Sequence, residues 1–288
     1  MRALRLAMMI ILGAAMASSS AAAQQNLKPA DNAALRYWSA FAQIQDAGIT
    51  EQQGREAHAI LDGTAPYDDS KYKDIIEKNR PAVETMIRGA ALPYCDWGME
   101  WQMGPQAPVD YARKAGFLGR VNVFYAFHLL INGDKDGAVR ALQAGLRFSH
   151  DVANGGTLFA TVSAQSLIIA HLQAAAGFQK IAGLSATQRA ALEKSIEQLG
   201  AEGLDWSGAM KREMEILPTH DAQEAAARDK IQALYVRLFS NPGTLPELQQ
   251  AISNAPKQIA DVIPNPKRVL DQQQNLTAKL QQTRTALQ

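Results

Sequence analysis

The sequence predicts an all-α fold, an irregular antiparallel helical bundle built from helical hairpins and containing no sheet. Three observations predict it. After residue 23 the helix-favouring residues Ala, Leu, Gln, Arg and Glu dominate, β-branched alternation is scarce, and no Asn-Gly or Asp-Gly turn joins strand-like runs. Helix caps and glycine or proline terminators instead separate segments whose apolar residues recur every three to four positions.

The first 23 residues carry the features of a cleaved signal peptide. Arg2 and Arg5 form a positive start, Leu6–Ala17 is a short apolar run, and three alanines precede a cleavage site before Gln24. An uncleaved membrane anchor is the alternative. The prediction is export, which makes the protein periplasmic or secreted.

Charge and hydropathy exclude several classes of partner. Lys and Arg number 29 in the whole chain and 27 without the two leader arginines, against 28 Asp and Glu. A near-neutral balance provides no field for nucleic acid or an anionic membrane. After signal cleavage, no apolar run approaches the roughly 20 residues of a transmembrane segment, so none is expected.

The first helices follow from caps and spacing. Asp31–Gln45 begins at an Asp cap and predicts an apolar face that includes Leu35, Trp38 and Phe41. A capping box at Thr50 predicts a short helix that ends near Leu61.

The next helix is expected from Asp69 or Ser70 to about Gly89. Pro81 lies inside it, so the sequence predicts a kink or a break there.

The middle of the chain predicts a helical hairpin followed by a buried helix. A helix from Val109 to Asn132 leads into a tight connection at Asn132–Ala138, in which Gly133 suits the end of one helix and Asp134 caps the next. This hairpin is distantly similar to tetratricopeptide hairpins, although the 34-residue repeat does not recur. The helix after Thr157 is apolar nearly all round, which favours the centre of a bundle.

The domain organisation predicted from these segments has two parts after the signal peptide. Residues 24–217 form the main helical-bundle domain, which includes a capped helix from Ser185 and another from about Asp205. Residues 218–288 form a C-terminal helical extension with proline-punctuated short helices. Its glutamine-rich end is expected to be a surface helix or a loosely ordered tail.

The segment "LPYCDWGMEW" (Leu92–Trp101) holds Cys95, the one cysteine of the chain. This cysteine can be a buried small hydrophobe, an intermolecular cross-link or a reactive thiol. Asp96 beside it raises a thiol pKa, and His128, the next histidine, can approach only through the fold. We expect Cys95 and Trp97 to face the core while Asp96 caps the loop backbone.

No catalytic residue is predicted, because nucleotide, hydrolase and thiol motifs are absent. Aromatic side chains beside carboxylates in the loop would suit a sugar or peptide in a cleft. Glu213, on a late helix, could turn inward, although a solvated carboxylate is the commoner arrangement. The candidate binding residues are Tyr94, Asp96, Trp97, Glu100, Trp101 and Glu213.

Three histidines lie on successive predicted helices. His128, His150 and His171 are separated by 22 and 21 residues, so hairpin geometry could bring two of them to similar heights. No metal site is assigned, because H-x-x-x-H and E-x-x-H spacings are absent and a closed site needs three or four converging ligands. No cofactor is expected.

Several motifs occur in an order that resembles a family of secreted, all-helical bacterial proteins without an assigned activity. These are "NAALRYWSAFA", then "CDWG" and "GP", then "GDKDGAVRALQAGLRFSHDV", which together span roughly residues 31–215. The resemblance implies a helical fold and export. It offers no mechanism and no catalytic residue.

The sequence therefore favours a non-enzymatic exported protein that binds or scaffolds in the cell envelope, with an unknown envelope protein or small ligand as partner. Two alternatives stay open. One is an envelope hydrolase with a cleft around Tyr94–Trp101, and the other is a metal or small-molecule carrier that uses core histidines.

Overall fold

The computed structural model describes residues 28–45, 50–101, 103 and 110–288. Within these ranges there are twelve α-helices and no strand, and the all-α prediction is confirmed. The predicted signal peptide, and the start of the predicted helix at Val109, lie outside the described residues. The helices are α1 (Ala33–Ala42), α2 (Glu51–Leu61), α3 (Asp69–Ala90), α4 (Asp110–Ile131), α5 (Lys135–Ala153), α6 (Leu158–Ala182), α7 (Ala186–Glu202), α8 (Trp206–Glu215), α9 (Ala222–Ser240), α10 (Leu245–Ser253), α11 (Lys257–Ala260) and α12 (Pro266–Leu287).

Helix α1 buries Phe41, as predicted, but otherwise a different face from the predicted one. Its N-cap is Asn32 rather than Asp31. Leu35 and Trp38, expected to face inward, are 51% and 39% exposed, whereas Tyr37 is fully buried. The cause is close packing of α1 on α3, which the small alanines of the buried face allow. Tyr37 lies against Gly89 of α3, where an added Cβ would be only 2.8 Å from the Tyr37 ring.

Helix α3 runs through Pro81 as one element, so the predicted break is wrong. Proline removes one backbone donor, yet side chains on both sides of it bond to the backbone. Thr85 donates to the Pro81 carbonyl across 2.8 Å, and the buried Asn79 side chain donates to the Ile75 carbonyl. Because α3 also buries an apolar face, tertiary packing outweighs the local cost of the proline.

The central hairpin forms as the caps predict. The Asp134 carboxylate accepts from the Gly137 amide across 2.8 Å, and Gly133 has φ of +89°, a left-handed conformation that suits glycine. The Thr157 hydroxyl oxygen accepts from the Ala160 amide to start α6.

Helix α6 is buried among α4, α5, α8 and α12, as its all-round apolar sequence predicts. By length and composition it could cross a membrane, and it is the one described helix that could. However, 67% of its most apolar window is buried inside the fold, which is the pattern of a core helix in a bundle.

Among the residues that the structure describes, buried apolar side chains form two clusters. The larger joins α1 to α7 and also takes Leu276 and Leu287 from α12. The smaller joins α8 to the C-terminal helices, with Trp206 and Met210 packed near Tyr235 and Leu248. The smaller cluster therefore draws residues from both sides of position 217.

The C-terminal part contains short helices, as expected, in α10 and α11, together with two long helices, α9 and α12. The glutamine-rich end is helix α12, which begins with Pro266 and packs against α6 and α7. Gln165 of α6 donates to the Gln272 carbonyl, and Arg284 pairs with Glu197 across 2.9 Å. Of the two predicted states for this end, the surface helix is the one observed.

Candidate functional site

The loop that follows α3 is fastened to the start of α1. The Ala33 amide donates to the Tyr94 carbonyl across 2.8 Å. The Asn32 side chain both donates to the Asp96 carbonyl and accepts from the Asp96 amide. A short proline- and glycine-containing segment is thus given fixed backbone geometry by a residue 64 positions earlier.

Trp97 is buried in an aromatic cluster, as expected. It is 5% exposed, and its ring stacks with Tyr111 at 4.3 Å between centroids and with Phe41 at 6.0 Å. Its indole N–H donates to the Asp151 carbonyl oxygen across 2.7 Å. An indole that is packed and hydrogen-bonded in this way offers little surface to a ligand.

Asp151 is the polar centre of this cluster and was not singled out by its sequence pattern. The side chain is fully buried, and its carboxylate accepts from the Tyr37 hydroxyl across 2.7 Å. The Arg147 Nε lies 3.1 Å from the other carboxylate oxygen, as an ion pair without the alignment of a hydrogen bond. Burial raises the pKa of Asp151, and the Tyr37 hydrogen bond and the Arg147 charge oppose that rise.

Cys95 is half-buried beside the same residue. Its Sγ lies 3.9 Å from the Asp151 carbonyl oxygen. Burial, and then the negative charge of Asp151, raise the pKa of the thiol well above its usual range. The thiol is therefore protonated at neutral pH and lacks the thiolate that nucleophilic catalysis requires.

Asp96 accepts from the Gly98 amide across 2.9 Å, which is the expected loop cap. Tyr94 is half-buried and donates to the Lys28 carbonyl. Glu100 is exposed, and Trp101 is half-buried with the Arg212 guanidinium 5.1 Å from its ring centroid.

Glu213 has a different role from the loop residues. Its carboxylate accepts from the Leu158 amide across 3.2 Å at the start of α6, so it supports a helix terminus. None of the six predicted binding residues lines the cavity between α2, α4 and α6 or the smaller cavity beside it.

The three core-region histidines have separate partners. His128 Nδ1 is 2.8 Å from Asp69, and His150 Nε2 is 2.9 Å from the Gly203 carbonyl oxygen. His171 is fully buried between the Leu167 carbonyl and the Asn122 amide, and burial lowers its pKa to about 4. Among the described residues, no three His, Cys, Asp or Glu side chains are grouped so as to hold a metal ion.

A groove of about 610 Å³ lies between α2, α4 and α6. Small residues open it, with Gly116 on α4 and Ser163, Ser166 and Ala170 on α6. Phe159, which is half-exposed, adds apolar surface. The volume of the groove falls within the range of about 300–1,000 Å³ that is typical of small-molecule sites.

The charge of the groove comes mainly from α4. Arg113 and Arg120 line it, and Asp62 is the one carboxylate among the described lining residues. Across the described part of the chain, neither guanidinium lies within 4.0 Å of a carboxylate oxygen. This site was not predicted from the sequence. Its one signal there was the spacing of Arg113 and Arg120, which are seven residues apart on one helix face with Phe117 between them.

A smaller chamber of about 110 Å³ adjoins the groove. Both cavities are lined by His58, Leu61, Phe117 and Arg120. The rest of the chamber lining is made mainly by apolar and aromatic residues: Gly54, Ala57, Tyr72, Ile75, Val121 and Phe124.

Comparison of the chain with protein-family models, with curated proteins and with solved structures finds no significant match.

Proposed function

We propose that this chain is an exported protein of the cell envelope that binds a small ligand in the groove between α2, α4 and α6 and catalyses no reaction on it. The groove carries the proposal, because it combines apolar walls with two arginines that have no carboxylate partner among the described residues. A charged side chain left free beside apolar surface is a recognised feature of binding sites.

The chemistry of the loop supports binding over catalysis. Its cysteine is held as a neutral thiol, and Trp97 and Asp96 use their polar groups on the protein's own backbone. These contacts leave the loop without an activated nucleophile or a paired acid and base.

Export rests on the charged, apolar and alanine-rich segments of residues 1–23 and on the resemblance to secreted, all-helical bacterial proteins. Expression in a bacterium, followed by fractionation and N-terminal sequencing, tests it. We expect periplasmic protein that starts at Gln24. Protein that keeps Met1 in the cytoplasmic fraction would contradict export, and protein that keeps Met1 in the membrane fraction would show an uncleaved anchor instead of a cleaved signal peptide.

The binding proposal is tested with Nile red, an uncharged apolar dye whose emission rises on leaving water. We expect saturable binding to the purified protein and its loss in Ser166→Trp, since Ser166 is exposed and lines the groove. Gln281→Trp, on the exposed side of α12, is the matched control and should bind as the parent does. No saturable binding, or equal loss in both variants, counts against the groove.

A further inference from the structure

Two arginines face the groove from the same side of α4. Arg113 and Arg120 are seven residues apart, which separates their Cα atoms by about 10.5 Å along the helix axis. Phe117 lies between them and lines both cavities. Two long guanidinium side chains at this spacing can converge on one oxyanion above the Phe117 ring, and guanidinium geometry matches a carboxylate.

The adjoining chamber offers the complementary apolar volume. It is small, at about 110 Å³, and Phe117 and Arg120 are among the four residues that it shares with the groove. A chamber of this size suits one aliphatic chain better than a pair of acyl chains or a fused ring system. Burial of each methylene group there contributes about 0.8 kcal/mol.

We propose that the groove and chamber together bind a single-chain fatty-acid anion. Its carboxylate lies between Arg113 and Arg120, and its aliphatic tail passes Phe117 into the chamber. This assignment rests on the proposed function, since it names the ligand class of the same groove.

The head group is tested by calorimetric titration of the purified protein with octanoate and with 1-octanol. Octanoate should bind at least about tenfold more tightly, because hydrogen bonds to charged groups exceed those to neutral ones. The double variant Arg113→Gln/Arg120→Gln should bind octanoate only as tightly as the alcohol. Lys114→Gln, which removes an exposed charge from the same helix outside both linings, should bind as the parent does.

The tail is tested with hexanoate, octanoate and decanoate. Affinity should rise about fourfold per methylene group until the chamber is full. Gly54→Leu should flatten this rise, because Gly54 lines the chamber and a Cβ there meets nothing within 4 Å. Gly200→Leu is the control, another helical glycine with open space around it, and it should leave the rise intact.

Equal affinity for octanoate and 1-octanol overturns the fatty-acid assignment, and so does a double variant that keeps the parent's preference. Equal or tighter binding of dihexanoylphosphatidate, a two-chain phosphate, also overturns it. If Nile red still binds and Ser166→Trp still blocks it, groove binding stands and only the ligand class fails. If neither the dye nor octanoate binds, both proposals fall.

Discussion

The indole N–H of Trp97 donates a hydrogen bond to the backbone carbonyl oxygen of Asp151 across 2.7 Å. This contact fixes the loop after α3 to the last turn of α5, and the Asp151 side chain extends the connection to Tyr37 on α1. Three segments that are far apart in sequence therefore meet at one buried residue. The loop is a structural junction, and substitution of its buried residues should lower the free energy of unfolding.

Substitution of Trp97 tests the junction. Trp97→Ala should lower the free energy of unfolding by about 3–5 kcal/mol, because it removes a buried ring together with its hydrogen bond. Trp97→Phe should cost less, since it keeps aromatic packing and loses mainly the hydrogen bond, at about 0.5–1.5 kcal/mol plus the lost volume. Denaturant unfolding measures both.

Trp101→Ala is the matched control, because Trp101 is only half-buried and its described contact is with Arg212. Its cost should stay near 1 kcal/mol. If Trp97→Ala unfolds at the same denaturant concentration as the parent, the loop is not a junction, and a direct role for it in ligand binding becomes the better explanation.

The hydrogen bond between Tyr37 and Asp151 gives a second prediction. Tyr37→Phe should destabilise the protein by about 1.5–3 kcal/mol, because a buried carboxylate loses its 2.7 Å donor. In a double-mutant cycle with Asp151→Leu, whose side chain cannot accept the hydrogen bond, the coupling energy should be about 0.5–3 kcal/mol. Simple additivity of the two unfolding free energies would show that the two side chains do not act as a pair.

The sequence predicted the helices well because their ends are set locally. The capping boxes at Thr50 and Ser185 and the caps at Asp134 and Thr157 each depend on residues within a few positions, and all four are present. The buried face of α1 was not predictable in this way. It carries two overlapping apolar stripes, and contact with Gly89 of α3 decides between them.

The candidate site was harder to predict from the sequence, because it also depends on contacts between residues that are far apart in the chain. The groove takes its lining from α2, α4 and α6, whose contributing residues are about 50 positions apart. Tyr37 and Asp151 are separated by 114 positions. No short-range pattern encodes these meetings, because they arise from how the hairpins pack on one another.

Acid should destabilise the fold through His171. Its folded-state pKa of about 4 lies below the ordinary value of 6.5, so folding favours the neutral imidazole. The stabilisation is present in full above about pH 6.5 and is lost as the pH falls towards 4. The loss amounts to about 3 kcal/mol, from about 1.4 kcal/mol per pKa unit.

Unfolding of the parent and of His171→Gln, measured from pH 7 to pH 4, isolates this contribution. Asp151, whose raised pKa acts in the opposite direction, is present in both proteins and cancels in the difference. The parent should lose about 3 kcal/mol more than the variant across this range. Parallel pH profiles would show that the His171 imidazole is not held neutral by the fold.

Substitution by alanine should have opposite effects on stability at two glycines. At Gly145 of α5, an added Cβ would lie 2.1 Å from His171 Nε2 and 2.4 Å from Asn122 Nδ2, inside the buried polar contact between those residues. Gly145→Ala should therefore destabilise the protein by about 1–3 kcal/mol or more. At Gly200 of α7, nothing lies within 4 Å of the added Cβ, so alanine should stabilise the helix by up to about 1 kcal/mol. The thermal unfolding midpoints of the two variants should shift in opposite directions. An unchanged midpoint for Gly145→Ala would mean that α5 and α6 can separate there without a loss of stability, which would contradict their close approach.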